Sequence, residues 1–381
     1  MTVGQTPPRS GWSAARSLAA AQAPLATVDV ELSAAAGLVL AQDVAALTDL
    51  PPFTASAMDG WAVRGDPPWT IAPEGTALLP GTAAAITTGA PAPDGTDAVL
   101  RMEDGEIQPD HGVLVPRGLA PRAGADLRTR GCECSAGDVV ARSGTRAGPV
   151  VLGLVAAAGH DRVRVVMPPV VDLLVLGDEL LDRGPARDGL VRDALSHMLR
   201  PWLAALGAEA PPARRVGDSV SALVEAIQAC SGDLLVTTGS TAAGPRDHLH
   251  AALATLGATL LVDGVGVRPG QPMLMARLAD GRPLVGLPGN PLAAVSGLLT
   301  LVAPALAAMA GLVPGAPQTM SLAEPVKGHP LDVRLVPVRD GRPLHYVGPA
   351  MLRGLAAAQA VAVIPAGGAA AGDEVEVLAL P

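Results

Sequence analysis

The sequence predicts a multidomain α/β chain whose largest part is a mostly parallel sheet covered by helices, and three observations predict it. Continuous apolar runs at 170–176, 233–238 and 283–287 each enter a Gly-bearing loop and are followed by a helical pattern, the mark of βα units buried on both faces. Residues 61–130 show short apolar runs cut by Gly and Pro, which read as a β-rich insert. From about residue 314 the tail carries alternating runs at 331–338, 361–364 and 374–380, consistent with a small β domain.

In chain order, 11–22 is Ala-rich with Leu and Trp at turn spacing and reads as a helix. A second helix is expected at 28–36, opened by Asp29 and Glu31. Leu50-Pro51-Pro52 breaks this pattern and the β insert follows. Residues 147–159 are helical again, so the insert interrupts an elongated helical element formed by its two flanks. Behind Pro168-Pro169 come the strand at 170–176, helices at 193–206 and 247–256, strands at 233–238, 259–262 and 283–287, and a helix at 292–309. The expected domains are 1–50 plus 130–167 (helical), 51–129 (inserted β), 168–313 (α/β) and 314–381 (C-terminal β).

Composition narrows the function. The 381 residues are 49% hydrophobic and 17% charged, a globular balance, and the formal charge of -9 disfavours a diffuse basic surface for nucleic acid. The expected ligand is small. Three cysteines make no disulfide framework, no leader pattern opens the chain, and no apolar stretch of about 18 residues free of breakers or charges is seen. The cytoplasm is the expected compartment, with no membrane partner. Lys327, Asn290, Phe53 and Tyr346 are each the only residue of their type.

Four loops concentrate the residues that carry chemistry. Gly177-Asp178-Glu179-Leu180 follows an apolar strand, so its carboxylates can face the crevice at the strand ends, holding a cation, orienting a nucleophile or capping the next helix. Thr237 to Gly244 offers glycines for close backbone approach and hydroxyls for hydrogen bonds, and suits a phosphate, though without the Lys of a P-loop; Asp247 lies just beyond. In Gly286-Leu287-Pro288-Gly289-Asn290-Pro291 two prolines stiffen a Gly-Asn pair. The fourth loop runs through Ser56-Ala57-Met58-Asp59-Gly60, with Thr87-Thr88-Gly89-Ala90-Pro91 a comparable turn in the same insert. Cys132-Glu133-Cys134 lacks zinc spacing, and His248 and His250 are two apart, which splits them between helix faces.

Taken together, Ser56 to Gly60, Thr88-Gly89-Ala90-Pro91, Arg130-Gly131 with Ser135-Ala136-Gly137, Gly177 to Leu180 and Gly286 to Pro291 resemble the molybdopterin molybdenumtransferase family, which comprises bacterial MoeA and the gephyrin E domain. The resemblance runs in order over almost the whole chain. It implies an elongated, L-shaped subunit with a helical domain, an inserted β domain, a molybdopterin-binding-like α/β domain and a C-terminal β-barrel, assembled as a homodimer with a composite active site. It implies the reaction too: adenylyl-molybdopterin and molybdate bind, the adenylate is cleaved with Mg²⁺, molybdenum enters the dithiolene and AMP leaves. Contact with the molybdopterin adenylyltransferase follows from that chemistry.

The same resemblance implies the site residues. Glu179, Asp59 and Asp247 match catalytic carboxylates; Glu179, Asp218, Asp247 and Glu133 match acidic positions near metal and phosphate; Thr88, Gly239, Ser240, Arg268, Pro288, Asn290 and Pro291 match substrate-binding positions. Some positions depart from the pattern. Cys132-Glu133 stands where the family has Glu-Asp, Thr238-Gly239-Ser240 where it has Ser-Gly-Gly, and Arg268-Pro269-Gly270-Gln271-Pro272 where it has Lys-Pro-Gly-Lys-Pro, with Gly264 at an earlier lysine position. Two cations facing anionic substrates are replaced by Gly264 and Gln271, which motivates a rival reading: a paralogue that binds molybdopterin as carrier, scaffold or regulator without inserting metal.

Overall fold

A six-stranded sheet orders Arg214–Val216, Val171–Leu176, Leu234–Thr238, Pro283–Leu287, Leu274–Arg277 and Thr259–Asp263 in the computed structural model, which describes residues 9–73, 75–241 and 248–381. The first four strands are parallel and the last two antiparallel. Within Val171–Leu176, Val171, Leu173 and Val175 enter one hydrophobic cluster while Leu174 and Leu176 enter another. A strand buried on both faces has no room for alternation, which explains the near-continuous apolar run, broken by Asp172, whose carboxylate accepts the Ser231 and Gly232 N–H groups.

Contacts divide the chain into two units: Met1–Val28, Gly37–Ala41 and Val165–Pro381 in one, Asp29–Ala36 and Gln42–Arg164 in the other. In the first unit, one face of the sheet is covered by the helices Trp12–Ala19 and Leu195–Ala205 and by the long helical run 291–309, and the other by Val220–Gln228 and His248–Thr255. Trp12 donates through Nε1 to Thr300 Oγ1 at 3.1 Å inside the core, fixing the first helix on the long one. The C-terminal strands Val333–Arg339, Ala360–Ile364, Glu374–Ala379 and Gln318–Ser321 form a second sheet, with Val267–Arg268 on its edge.

In the second unit, the strands Ala98–Arg101, Gly60–Arg64, Thr82–Ile86, Trp69–Ile71, Val113–Pro116 and Gly105–Gln108 form one sheet in that order. Trp61, Val63, Trp69 and Leu114 pack on one face and Ala62, Ala84, Ile86 and Val99 on the other. The expected β insert is therefore a sheet with two apolar faces, built from residues of the predicted texture.

Two expectations need correction. Residues 28–36 do not form a helix: Thr27–Glu31 is a strand and Leu32–Ala34 a 3-10 turn, since β-branched Thr27, Val28 and Val30 favour the extended state. The two flanking helices fall in different units, Trp12–Ala19 with 165–381 and Pro149–Ala157 with 42–164. The helix expected at 292–309 is present as Pro291–Met309, an uncharged apolar run whose most apolar stretch is 78% buried. Gly297 and Pro304 interrupt its sequence pattern without ending it, because a π-helical stretch at Leu298–Val302 carries the run through. It is the core helix of the α/β region. Leu274–Arg277, adjacent to the Gln271 loop, is a strand that the sequence reading missed.

Candidate active site

Four loops leave the C-terminal ends of neighbouring parallel strands, because the registers Leu176↔Val216, Val175↔Thr238 and Thr238↔Leu287 bring those ends level. This edge is where open α/β sheets hold ligands. At the first end the chain turns on Gly177, φ +132, and the Glu179 side chain folds back over it: a Cβ at 177 would stand 2.9 Å from both Glu179 carboxylate oxygens. Only glycine leaves that space.

Asp178 and Asp218 clasp each other. The Asp178 backbone N–H donates to Asp218 Oδ2 at 3.2 Å, and the Asp218 N–H donates to Asp178 Oδ1 at 3.4 Å. Each carboxylate keeps a second oxygen, and both side chains are exposed, as is Glu179. Arg215 braces this loop from below. Its Nη2 donates to the carbonyls of Gly177 at 3.2 Å and Leu180 at 2.7 Å, and its Nη1 to Asp182 Oδ1 at 2.9 Å.

The next two strand ends meet through glycines. Gly239, φ +89, donates its N–H to the Leu287 carbonyl at 2.8 Å, and a Cβ on Gly289 would stand 3.6 Å from Gly239 Cα. Ser240 also adopts a left-handed φ of +52. The Thr237 hydroxyl, buried at the end of its strand, has no hydrogen-bond partner among the described residues. The loop expected to bind phosphate is thus in part described; Asp247 lies outside the described residues, and so does 242–246.

Pro288 and Asn290 open onto a cleft of about 340 Å³ that they share with Arg268, Gln271, Arg334 and Pro349. Gly270, φ +109, lets the 268–272 loop press onto the helix Pro291–Gly297, where a Cβ would meet Ser296 Cβ at 2.9 Å and the Ala293 carbonyl at 3.0 Å. Asn290 stands at the N-cap of that helix and makes no cap bond with its side chain, while Pro291 begins the first turn. The Leu292 and Ala293 N–H groups donate instead to the Pro349 carbonyl, at 2.9 and 3.2 Å. Arg268 donates Nε to the buried Asp332 at 2.9 Å and stays partly exposed.

Asp59, Thr88 and Glu133 belong to the other unit. There Asp59 and Thr88 come together: Asp59 Oδ1 accepts the Thr88 N–H at 2.6 Å. Bonds from the Thr88 backbone and then its hydroxyl hold the Asp59 carboxyl below the usual carboxylate range. Glu133 is exposed beside Cys132, on a hollow of about 600 Å³ also lined by Leu50, Arg128 and Val150. Among the described residues no three His, Cys, Asp or Glu side chains gather as a metal cage.

Residues 12–159 match the family model described as the MoeA N-terminal region (domains I and II), and residues 172–308 match that of a probable molybdopterin binding domain. The chain is 31% identical to the molybdopterin molybdenumtransferase 2 of Mycobacterium tuberculosis (strain ATCC 25618 / H37Rv) over 373 residues, 89% of this chain and 91% of that protein. It belongs to the molybdopterin molybdenumtransferase family. It is also 31% identical to the molybdopterin molybdenumtransferase of Synechococcus elongatus over 295 residues, 71% of this chain and 72% of that one. The crystal structure of the molybdopterin biosynthesis moeA protein from Pyrococcus horikoshii OT3 shares the fold, with a TM-score of 0.79 at 24% identity over 98% of this chain and 100% of that one.

Within this molybdenumtransferase fold one departing position, Gly264, has a local account. Gly264 sits at φ +77, a left-handed conformation that costs a side-chain-bearing residue about 1–2 kcal/mol. Its carbonyl accepts the Ser10 N–H at 3.1 Å and its N–H donates to the Met273 carbonyl at 3.0 Å, which pins the turn. Sequence reasoning missed Arg215 and Asp332. Arg215 had a signal, a cation just before Val216-Gly217-Asp218; Asp332 had only a carboxylate set inside an apolar run.

Proposed function

We propose that this chain is a molybdenum insertase: it binds adenylyl-molybdopterin and molybdate, cleaves the adenylate and transfers molybdenum to the dithiolene, releasing AMP. Its place is in molybdenum cofactor biosynthesis, as a transferase with molybdopterin as substrate. The observation that carries the reading is the line of strand-end loops, with the carboxylates of Asp178, Glu179 and Asp218 at one side and the cleft of Arg268, Gln271, Pro288 and Asn290 at the other. An acidic group beside a phosphate-sized loop and a cation-bearing cleft suits one substrate with a pyrophosphate and one small oxyanion.

The donor set fits Mg²⁺ as a cation shared with substrate. Magnesium takes one or two protein carboxylates and completes its shell with phosphate oxygens and water, so the free oxygens of Asp218 and Asp178, with Glu179 beside them, suffice without a cage of three. Bound there, it would neutralise phosphate charge. Glu179 orients the attacking group, Gly239 and Ser240 receive phosphate oxygens, and Arg268 with Asn290 receives the oxyanion and pterin side. Asp59, Thr88, Asp247, Glu133, Pro288 and Pro291 complete the proposed set. We further infer a cytoplasmic homodimer with a composite site, a subunit elongated by its inserted domain and ending in a β-barrel, and contact with the adenylyltransferase that supplies the substrate.

Purified protein incubated with adenylyl-molybdopterin, Mg²⁺ and increasing molybdate tests this directly. Molybdate-dependent AMP release is the expected result. Tight binding of the adenylate with no AMP release at any molybdate concentration would replace the insertase with the carrier reading, which the uncharged Gly264 and Gln271 favour.

A further inference from the structure

Behind the cleft lies a carboxylate that the chemistry above does not use. Asp332 is 1% exposed. Its Oδ2 accepts Arg268 Nε at 2.9 Å, and its Oδ1 is ion-paired with Arg9. His329 Nδ1 accepts the backbone N–H of Asp332 at 3.0 Å and of Leu331 at 3.3 Å. The chain brings Arg9 there by a fixed route. The Ser10 N–H donates to the Gly264 carbonyl, and the Gly266 N–H donates to the Ser10 carbonyl at 2.8 Å. Gly266 leaves room for the arginine, since a Cβ there would stand 3.2 Å from Arg9 Nη2, while Gly264 lies in ordinary contact range of Arg9 Cγ at 3.7 Å.

Charge counting gives this cluster a role. Arg268 and Asp332 alone would be a neutral pair, which leaves Arg334 as the cleft's other cation. Arg9 adds the second cation, so the triad carries one net positive charge, and the only Arg268 nitrogen bonded to Asp332 is Nε. We propose that Arg9 supplies the charge absent at Gly264 and Gln271, acting through Asp332 on Arg268 as a charge-balancing, positioning residue for a tetrahedral oxyanion such as molybdate. The inference rests on the reading of this cleft as the oxyanion site. Arg9 touches no substrate in it.

Molybdate binding by calorimetry and molybdate-dependent AMP release, both on the full chain, test the proposal. Arg9→Gln should raise Kd and KM for molybdate roughly tenfold, as one unit charge does from about 12 Å away at an effective dielectric of about 20, with the change falling on KM rather than kcat. Arg9→Lys should restore affinity. So should Arg9→Gln combined with Asp332→Asn, because Arg268 is then unopposed, whereas a merely structural contact would not be rescued by removing a second buried group. Failure of that double variant to recover affinity overturns the charge-balancing role. If wild type binds molybdate, Arg268→Gln weakens it and Arg9→Gln does not, the role of Arg9 is wrong while the cleft reading stands. If wild type binds no molybdate, the cleft reading fails and this inference with it.

Discussion

The Asp59 carboxylate holds the backbone N–H of Thr88 at 2.6 Å, tying together two turns that lie 29 residues apart in the chain. Two positions singled out by sequence are thereby one structural device: the acid orders the hydroxyl-bearing turn. Because Thr88 lowers the carboxyl below its usual value, the stabilisation is full above the unfolded value of about 3.9 and is lost as pH falls through the lower native one.

The Thr88 amide resonance in ¹⁵N-threonine-labelled protein should therefore titrate with a midpoint below about 3.9. Asp59→Asn should remove the titration and reduce AMP release. A midpoint at or above the ordinary value would show that the bond does not bias the acid.

Glu179→Ala should abolish AMP release while the protein stays folded. Gly177→Ala should do much of the same without touching the acid, since its methyl would occupy the space 2.9 Å from both carboxylate oxygens, at a stability cost of about 1–3 kcal/mol for the strained backbone. Retained turnover in Gly177→Ala would mean that the folded-back position of Glu179 is not the working one.

Arg215→Ala strips two donors from the Gly177 and Leu180 carbonyls. The expected loss of stability is about 1 kcal/mol, as for a charged hydrogen bond partly open to water, measured by urea unfolding. Turnover should fall by more than that loss explains, because the loop bearing Glu179 is released. Equal effects on both would assign Arg215 to stability alone.

Gln271→Lys should lower the molybdate concentration for half-maximal rate, since residue 271 lines the cleft with Arg268. An unchanged half-saturation would show that the missing lysine does not limit anion binding in this chain.

The thiols should separate by reactivity. Burial, then the nearby Asp172, pushes the Cys230 thiol up to about 11, whereas Cys132 is exposed. At pH 8 iodoacetamide should label Cys132 first and leave Cys230 unmodified until the protein unfolds, as read by peptide mass spectrometry. Early labelling of Cys230 would contradict its burial.

Much of the fold was legible because burial on both faces leaves a near-continuous apolar run in each central strand, and Val171–Leu176, Leu234–Thr238 and Pro283–Leu287 stand where those runs predict. Thr27–Glu31 was misread because Asp29 and Glu31 look like helix-opening acids, yet Arg164 pairs with Asp29 and Arg162 with Glu31 in the folded chain. The long core helix expected at 292–309 was legible, with Gly297 and Pro304 inside its run. In the site, the loops were found by their glycines and prolines, while Asp332 was invisible: its meaning comes from Arg9, 323 positions away, and Arg268, 64 positions away.

The carbonyl of Pro349 already occupies the amides that open the helix Pro291–Gly297. The partial positive end of that helix is thus partly spent inside the protein, since its Leu292 and Ala293 amides already donate to that carbonyl. Selectivity in the cleft is consequently vested largely in exchangeable side chains, so single substitutions at 271 or 334, which hold no buried charge in place, can retune which oxyanion is preferred and leave the scaffold intact.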